Sequence, residues 1–180
     1  VSEWSLPPKA KVYEALSAVT DGRVRLERKA STLDTADGPG LGGGADLAGA
    51  GSAEVTSSSG DKVYTVEWTD GMRRITSNDN ASYWQGYAGY PIIAVLLATG
   101  RIGYDPAVVA PLAGVPWKRI NDRFKRDYDK AVESVLDEVE AKGGDRAAIV
   151  AEADRIYDEL AALHLERGPR RRPPRTQRTL

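Results

Sequence analysis

Between Lys62 and Thr69 the chain alternates. Val63, Thr65 and Glu67 fall on one side, and Tyr64, Val66 and Trp68 on the other. A period of two predicts a strand with one covered face. Asp70-Gly71 follows as a hairpin-type dipeptide, and Met72–Ser77 returns as a second strand. Arg23–Arg28 alternates in the same way, and Ala53–Thr56, just before the Ser57–Asp61 turn, adds a short strand. A small antiparallel sheet of three to four strands is expected, with helices over one face.

The helical periods lie on both sides of this sheet. Lys9–Val19 follows Pro7-Pro8 and places Val12, Leu16 and Val19 on one face, with Tyr13 beside them. Pro91–Thr99 is almost wholly apolar and stops at Gly100, as a buried helix does. Asp105-Pro106 starts a shorter helix. From Trp117 to Lys142, Ile120, Phe124, Tyr128, Ala131, Val135 and Val139 make one continuous stripe. Gly143-Gly144 ends it, and Asp145 caps a last helix carrying Ile149, Ala153, Ile156, Leu160 and Leu163. The expected fold is α+β: a sheet with an N-terminal helix, then a helical half ending in a long antiparallel helix pair. Residues 1–104 form the sheet region and 105–168 the helical region packed on it.

Two segments lack the residues a core needs. Ala36–Ala53 is dominated by Gly and Ala and reads as a flexible loop. No Gly-Lys-Ser/Thr accompanies its glycines, so a phosphate-cradling loop is not indicated. Residues 169–180 combine arginine with proline and read as a disordered tail.

Charge changes this picture in one respect. The net charge is -1, but six arginines follow Glu166 without an acid among them, so the rest of the chain carries -7. Attraction to a polyanion must therefore be local. There is no cysteine and one histidine, His164. That excludes disulfides, thiolate nucleophiles and zinc sites built from several Cys or His. His164 lies near the end of the last helix and reads as a surface or cap residue. No catalytic residue, metal or cofactor is expected. Nor does any apolar run approach the roughly 20 residues a bilayer span needs. Lacking a signal-peptide pattern as well, the protein is expected to be cytoplasmic and not membrane-bound.

The segment Pro106–Lys130 carries the main functional expectation. A short helix, a Gly114-Val115-Pro116 elbow and a longer basic helix follow in the order of a helix-turn-helix. Arg119, Arg123, Arg126 and Lys130 are spaced 4, 3 and 4 apart and would share one face, with Lys118 at its start. Such a stripe suits a phosphate backbone. Pro111 and the acids Asp122, Asp127 and Asp129 oppose that reading. The expectation is a non-enzymatic, nucleic-acid-associated protein using Lys118, Arg119, Arg123, Arg126 and Lys130.

Two alternatives remain. The C-terminal helices could meet a protein partner or a second copy of the chain. The aromatic loop could hold a small ligand through Asn80, Trp84, Gln85 and Tyr87, or its rings could instead seal the core.

From Val63 to Gly100 the order is strand, turn, strand, loop, helix, with YTVEW in the first strand and IIAVLLA in the helix. This resembles a SWIM-type ββα finger, a module associated with DNA or protein binding. The resemblance covers about a fifth of the chain. Thr76-Ser77-Asn78 stands where that family has paired cysteines, and Tyr90-Pro91-Ile92 stands where it has Cys-x-His. The resemblance therefore implies the module without its zinc.

Overall fold

The computed structural model describes residues 2–27 and 49–175. The fold is α+β, as the patterning predicts. Its sheet has five strands in the order β1-β2-β3-β4-β5: Val24–Glu27, Gly51–Thr56, Val63–Thr69, Arg74–Ser77 and Glu166–Arg167. The first four pair antiparallel as a meander, and β5 joins β4 in parallel. In β3, Tyr64, Val66 and Trp68 are buried while Val63, Thr65 and Thr69 are exposed, so alternation sets the face.

Helix α2, Tyr90–Ala98, is the hub of the core. It is buried from Pro91 to Leu97 and packs on β2, β3 and β4 on one side and on α1, Ala10–Thr20, on the other. Helices α3 (Pro106–Val109), α4 (Trp117–Arg123), α5 (Tyr128–Ala141) and α6 (Arg146–Ala162) follow. The last two bury Ala131, Val135, Leu136 and Val139 of one helix and Ile149, Ala153, Ile156 and Leu160 of the other. Asp145 caps α6 by accepting from the Ala148 amide at 3.0 Å.

Several features depart from the sequence reading, the fifth strand among them. The helix expected to run from Trp117 to Lys142 is two helices. Lys125 and Arg126 both take positive φ (51° and 65°), and Asp127 restarts the chain by accepting from the Lys130 amide. Pro111 sits in a 3-10 turn, Ala110–Leu112, after α3 has ended, so it breaks no interior helical bond. The β3–β4 turn is wider than Asp70-Gly71. Met72 also takes positive φ and is fully buried, which delays β4 to Arg74. Most of the predicted Gly/Ala loop at 36–53 lies outside the described residues, but Gly51, Ser52 and Ala53 belong to β2. The Trp68 indole fills the space a Cβ on Gly51 would take.

The tail is also held at its beginning. Thr76 Oγ1 donates to the Pro169 carbonyl at 2.6 Å, and Arg170 lies 4.2 Å from the Tyr83 ring centroid and donates to the Tyr83 carbonyl at 2.7 Å. Arg171 pairs with Glu67 at 2.9 Å. At the same sheet edge, the Trp4 amide donates to the Leu165 carbonyl and the Arg167 amide to the Ser2 carbonyl, both at 2.9 Å. Trp4 Nε1 donates to the Ile75 carbonyl at 3.0 Å.

One fully buried hydroxyl ties the N-terminal helix to the helical half. Ser17 Oγ donates to the Leu112 carbonyl at 2.7 Å and accepts from Trp117 Nε1 at 2.8 Å. Removing it strands a buried N–H and a carbonyl. Ser17→Ala is expected to cost about 2–3 kcal/mol, measured as a lower urea midpoint at unchanged m-value.

Candidate functional site

Helix α1 is buried around its whole circumference, including Lys11 and Glu14, whose exposures are 7% and 6%. These polar residues have partners on the helical half. Lys11 Nζ lies 2.8 Å from Glu14 Oε2 and 4.5 Å from the centroid of the Tyr128 ring. Glu14 Oε1 accepts from Asn121 Nδ2 at 3.0 Å. Burial depresses the Lys11 ammonium, but the Glu14 charge and hydrogen bond outweigh it and leave its pKa raised. Asn121 is 9% exposed, and its Oδ1 has no hydrogen-bond donor among the described residues.

These groups form one floor of a cleft of about 810 Å³ between α1, the β2–β3 turn, the loop after β4 and the start of α4 and α5. That volume suits a small-molecule site. Tyr64, Tyr87, Tyr90 and Tyr128 supply aromatic walls. Tyr64 and Tyr90 meet edge to face at 6.3 Å and 86°. Ser57, Ser58, Asp61, Lys62, Lys118, Asp122 and Arg126 stand around it.

The fourth side is a single π-helical turn, Ala81–Gln85. Asp79 is buried beneath it. It accepts from Ser77 Oγ and Ser82 Oγ at 2.6 Å each, and from the Ser82 amide at 3.0 Å. A Cβ on Gly89 would overlap this carboxylate, so glycine is required at that close approach. Gly86 ends the turn with a φ of 70°. The anchored turn lifts Trp84 into solvent at 68% exposure, with Tyr83 edge-on at 4.7 Å.

Asn80, Trp84, Gln85 and Tyr87 all line this cleft. The loop therefore does not simply seal the core: Tyr90 is half-buried on α2, whereas Trp84 and Gln85 are exposed. The spacing of the chain shows this local grouping. It does not show Lys11, Glu14, Tyr64, Asn121 or Tyr128, which arrive from distant segments and whose polar members resemble ordinary solvent-facing residues.

The basic residues are divided. Lys118, Arg119, Arg123, Arg126 and Lys130 are all exposed, but they do not form one stripe, because the chain breaks at Lys125-Arg126 and puts Lys130 on a different helix. Lys118 pairs with Asp61 at 3.0 Å and Lys130 with Asp127 at 3.6 Å. Lys118 N also donates to Ser58 Oγ at 3.1 Å, which sets the start of α4 against the β2–β3 turn. Arg119, Arg123 and Arg126 have no ion-pair partner among the described residues. Lys118 and Arg126 line the cleft, whereas Arg119, Arg123 and Lys130 do not. Hydrogen bonds from Ser59, Lys118 and Ser57 hold the Asp61 carboxyl well below the usual carboxylate range. His164 is exposed, with Nδ1 3.3 Å from Glu3 Oε2, and does not line this cleft.

The site is thus a polar, aromatic-walled cleft on an α+β domain. The chain belongs to the family described as Uncharacterised conserved protein UCP014422, which matches over residues 44–166. That span includes the cleft residues from Ser57 to Tyr128, but not Lys11 or Glu14 on α1. Neither a curated protein nor a solved structure matches the chain. No described helix is long and apolar enough to cross a membrane.

The tyrosines give the cleft a pH signature. Burial pushes the Tyr64 phenol up to about 12 and raises Tyr90 further. The neutral phenol is favoured in the fold, so its stabilisation is complete below the unfolded value near 10. It is lost as pH rises towards the folded value. Thermal melts between pH 9.5 and 11.5 should therefore show a falling Tm, at about the pH where phenols ionise. Tyr64→Phe should make that fall shallower, the other raised phenols keeping the rest, while leaving the neutral-pH Tm nearly unchanged.

Proposed function

We propose that the protein is a non-enzymatic binding protein that holds a small ring-bearing ligand in this cleft. The observation that carries the reading is the exposed Trp84 indole, fixed on the Asp79-anchored turn beside an 810 Å³ cleft walled by tyrosines. An exposed indole on an anchored support loses little freedom when a flat ligand face covers it. Asn80 and Gln85 supply amide groups that orient polar substituents. Tyr64 and Tyr90 are pushed towards the neutral form and Asp61 is held as a weak base, so none of these three is a poised proton acceptor near neutral pH, which fits binding better than turnover.

Ligand-observed NMR with a panel of neutral and charged ring-bearing metabolites tests this. At least one should give saturation transfer that Trp84→Ala abolishes and Gln85→Ala reduces about tenfold, a loss of about 1.4 kcal/mol. A panel without any Trp84-dependent binder removes the reading.

A second reading keeps nucleic acid as partner, favoured by Arg119, Arg123 and Arg126, which are exposed and have no ion-pair partner among the described residues. In this reading the guanidinium groups contact phosphates locally, against the negative charge of the rest of the protein. Arg119→Ala with Arg123→Ala should then reduce the slope of log affinity against log salt by about 2 for duplex DNA. An unchanged slope and affinity would exclude it.

A further inference from the structure

The charges around the cleft balance. Its lining holds four cations, Lys11, Lys62, Lys118 and Arg126, and four carboxylates, Glu14, Asp61, Asp79 and Asp122, of which Lys11, Glu14 and Asp79 are buried. Two of the cations are already matched inside it, Lys11 by Glu14 at 2.8 Å and Lys118 by Asp61 at 3.0 Å. A phosphate or other anion would meet carboxylates as often as cations, and an ammonium or guanidinium ligand would meet the reverse. Neither gains from the net field.

The balance suits a group that donates and accepts at once. A hydroxyl can donate a hydrogen bond to Asp61 or Asp122 and accept one from Lys62, Asn80 or Gln85. Phosphate can only accept from such a ring of groups, and an ammonium can only donate. The Trp84 face adds the second requirement, a ligand with an apolar surface to lay on an indole. The indole stands perpendicular to the Tyr83 ring, which Arg170 covers at 4.2 Å. A hydroxylated ring has both an apolar face and a hydrogen-bonding rim.

Building on the cleft reading, we propose that the ligand is an uncharged, hydroxyl-bearing ring, the chemistry shared by saccharides and ribonucleosides. Its face lies on Trp84, and its hydroxyls bridge carboxylate and amide groups around the opening.

Saturation-transfer NMR on the full chain tests the inference with maltose, methyl glucoside, adenosine and guanosine. Glucose 6-phosphate and AMP serve as charged counterparts. The expected result is at least one neutral ligand bound at least tenfold more tightly than its phosphorylated counterpart. Trp84→Ala should abolish that binding, and Asp122→Asn should weaken it several-fold. A response confined to maltose and methyl glucoside assigns a saccharide, whereas one confined to adenosine and guanosine assigns a nucleoside. Equal or tighter binding of the phosphorylated compounds overturns the neutral-ligand inference, and so does the failure of all four neutral compounds. If a charged compound then binds in a Trp84-dependent way, the cleft reading stands without this inference. If none of the six compounds does, the broader panel decides the cleft reading separately.

Discussion

Three contacts along one edge of α1 hold the helical half in place. Ser17, Glu14 and Lys11 succeed each other at intervals of three, so they share a face of the helix. They meet Trp117, Asn121 and Tyr128 in the same order, through a 2.8 Å hydrogen bond, a 3.0 Å hydrogen bond and a cation–π contact at 4.5 Å. Trp117 and Asn121 are themselves one turn apart on α4. The ladder buries polar groups, and each rung is costly when only one partner remains. It therefore specifies the position of α4 more strictly than apolar packing does, and the position of α4 determines the width of the cleft.

The cleft then follows from local constraints on its other sides. The Asp79 carboxylate holds the π-helical turn through two serine hydroxyls and an amide, and Gly89 leaves it room. Asp61 ties the β2–β3 turn to Lys118. Anchored walls reduce the ordering cost of binding, so affinity need not be spent on organising the site. The basic helix is built differently from the one its sequence suggests. Its first residues are committed to the β2–β3 turn and its stripe is interrupted, so the arginines lie on a short, bent surface instead of a continuous rod.

Much of the fold was legible because it is encoded locally. The alternation in Val63–Thr69, the apolar run of α2 and the Asp145 cap each identify their element without reference to the rest. What escaped the reading depends on partners far along the chain. Lys11, Glu14 and Ser17 look like the wet side of an amphipathic helix, yet all three are buried. Strand β5 has two residues and forms because Arg73 and Ile75 offer carbonyls to Glu166 and Gly168. The break in the long basic helix did carry a signal, since Asp127 is a good capping residue, but the apolar stripe runs through it without a gap. The same division applies to the cleft. Its aromatic loop is contiguous in sequence, whereas its floor is assembled only by tertiary packing.

The seam where residues 2–5 meet 165–167 makes the polypeptide resemble a buckled belt. The buckle fastens Ser2 and Trp4 to Leu165 and Arg167, with the Trp4 indole threaded to Ile75 and its ring covered by the Arg167 guanidinium. The N-terminal strap takes backbone partners from residues 165 and 167, which β4 holds from their other side. Fraying of β5 from β4 would therefore loosen the N-terminal strap as well and, three residues on from Arg167, the Arg170 that braces Tyr83 beside Trp84. A distant clasp and the platform at the mouth of the cleft thus share a mechanical fate.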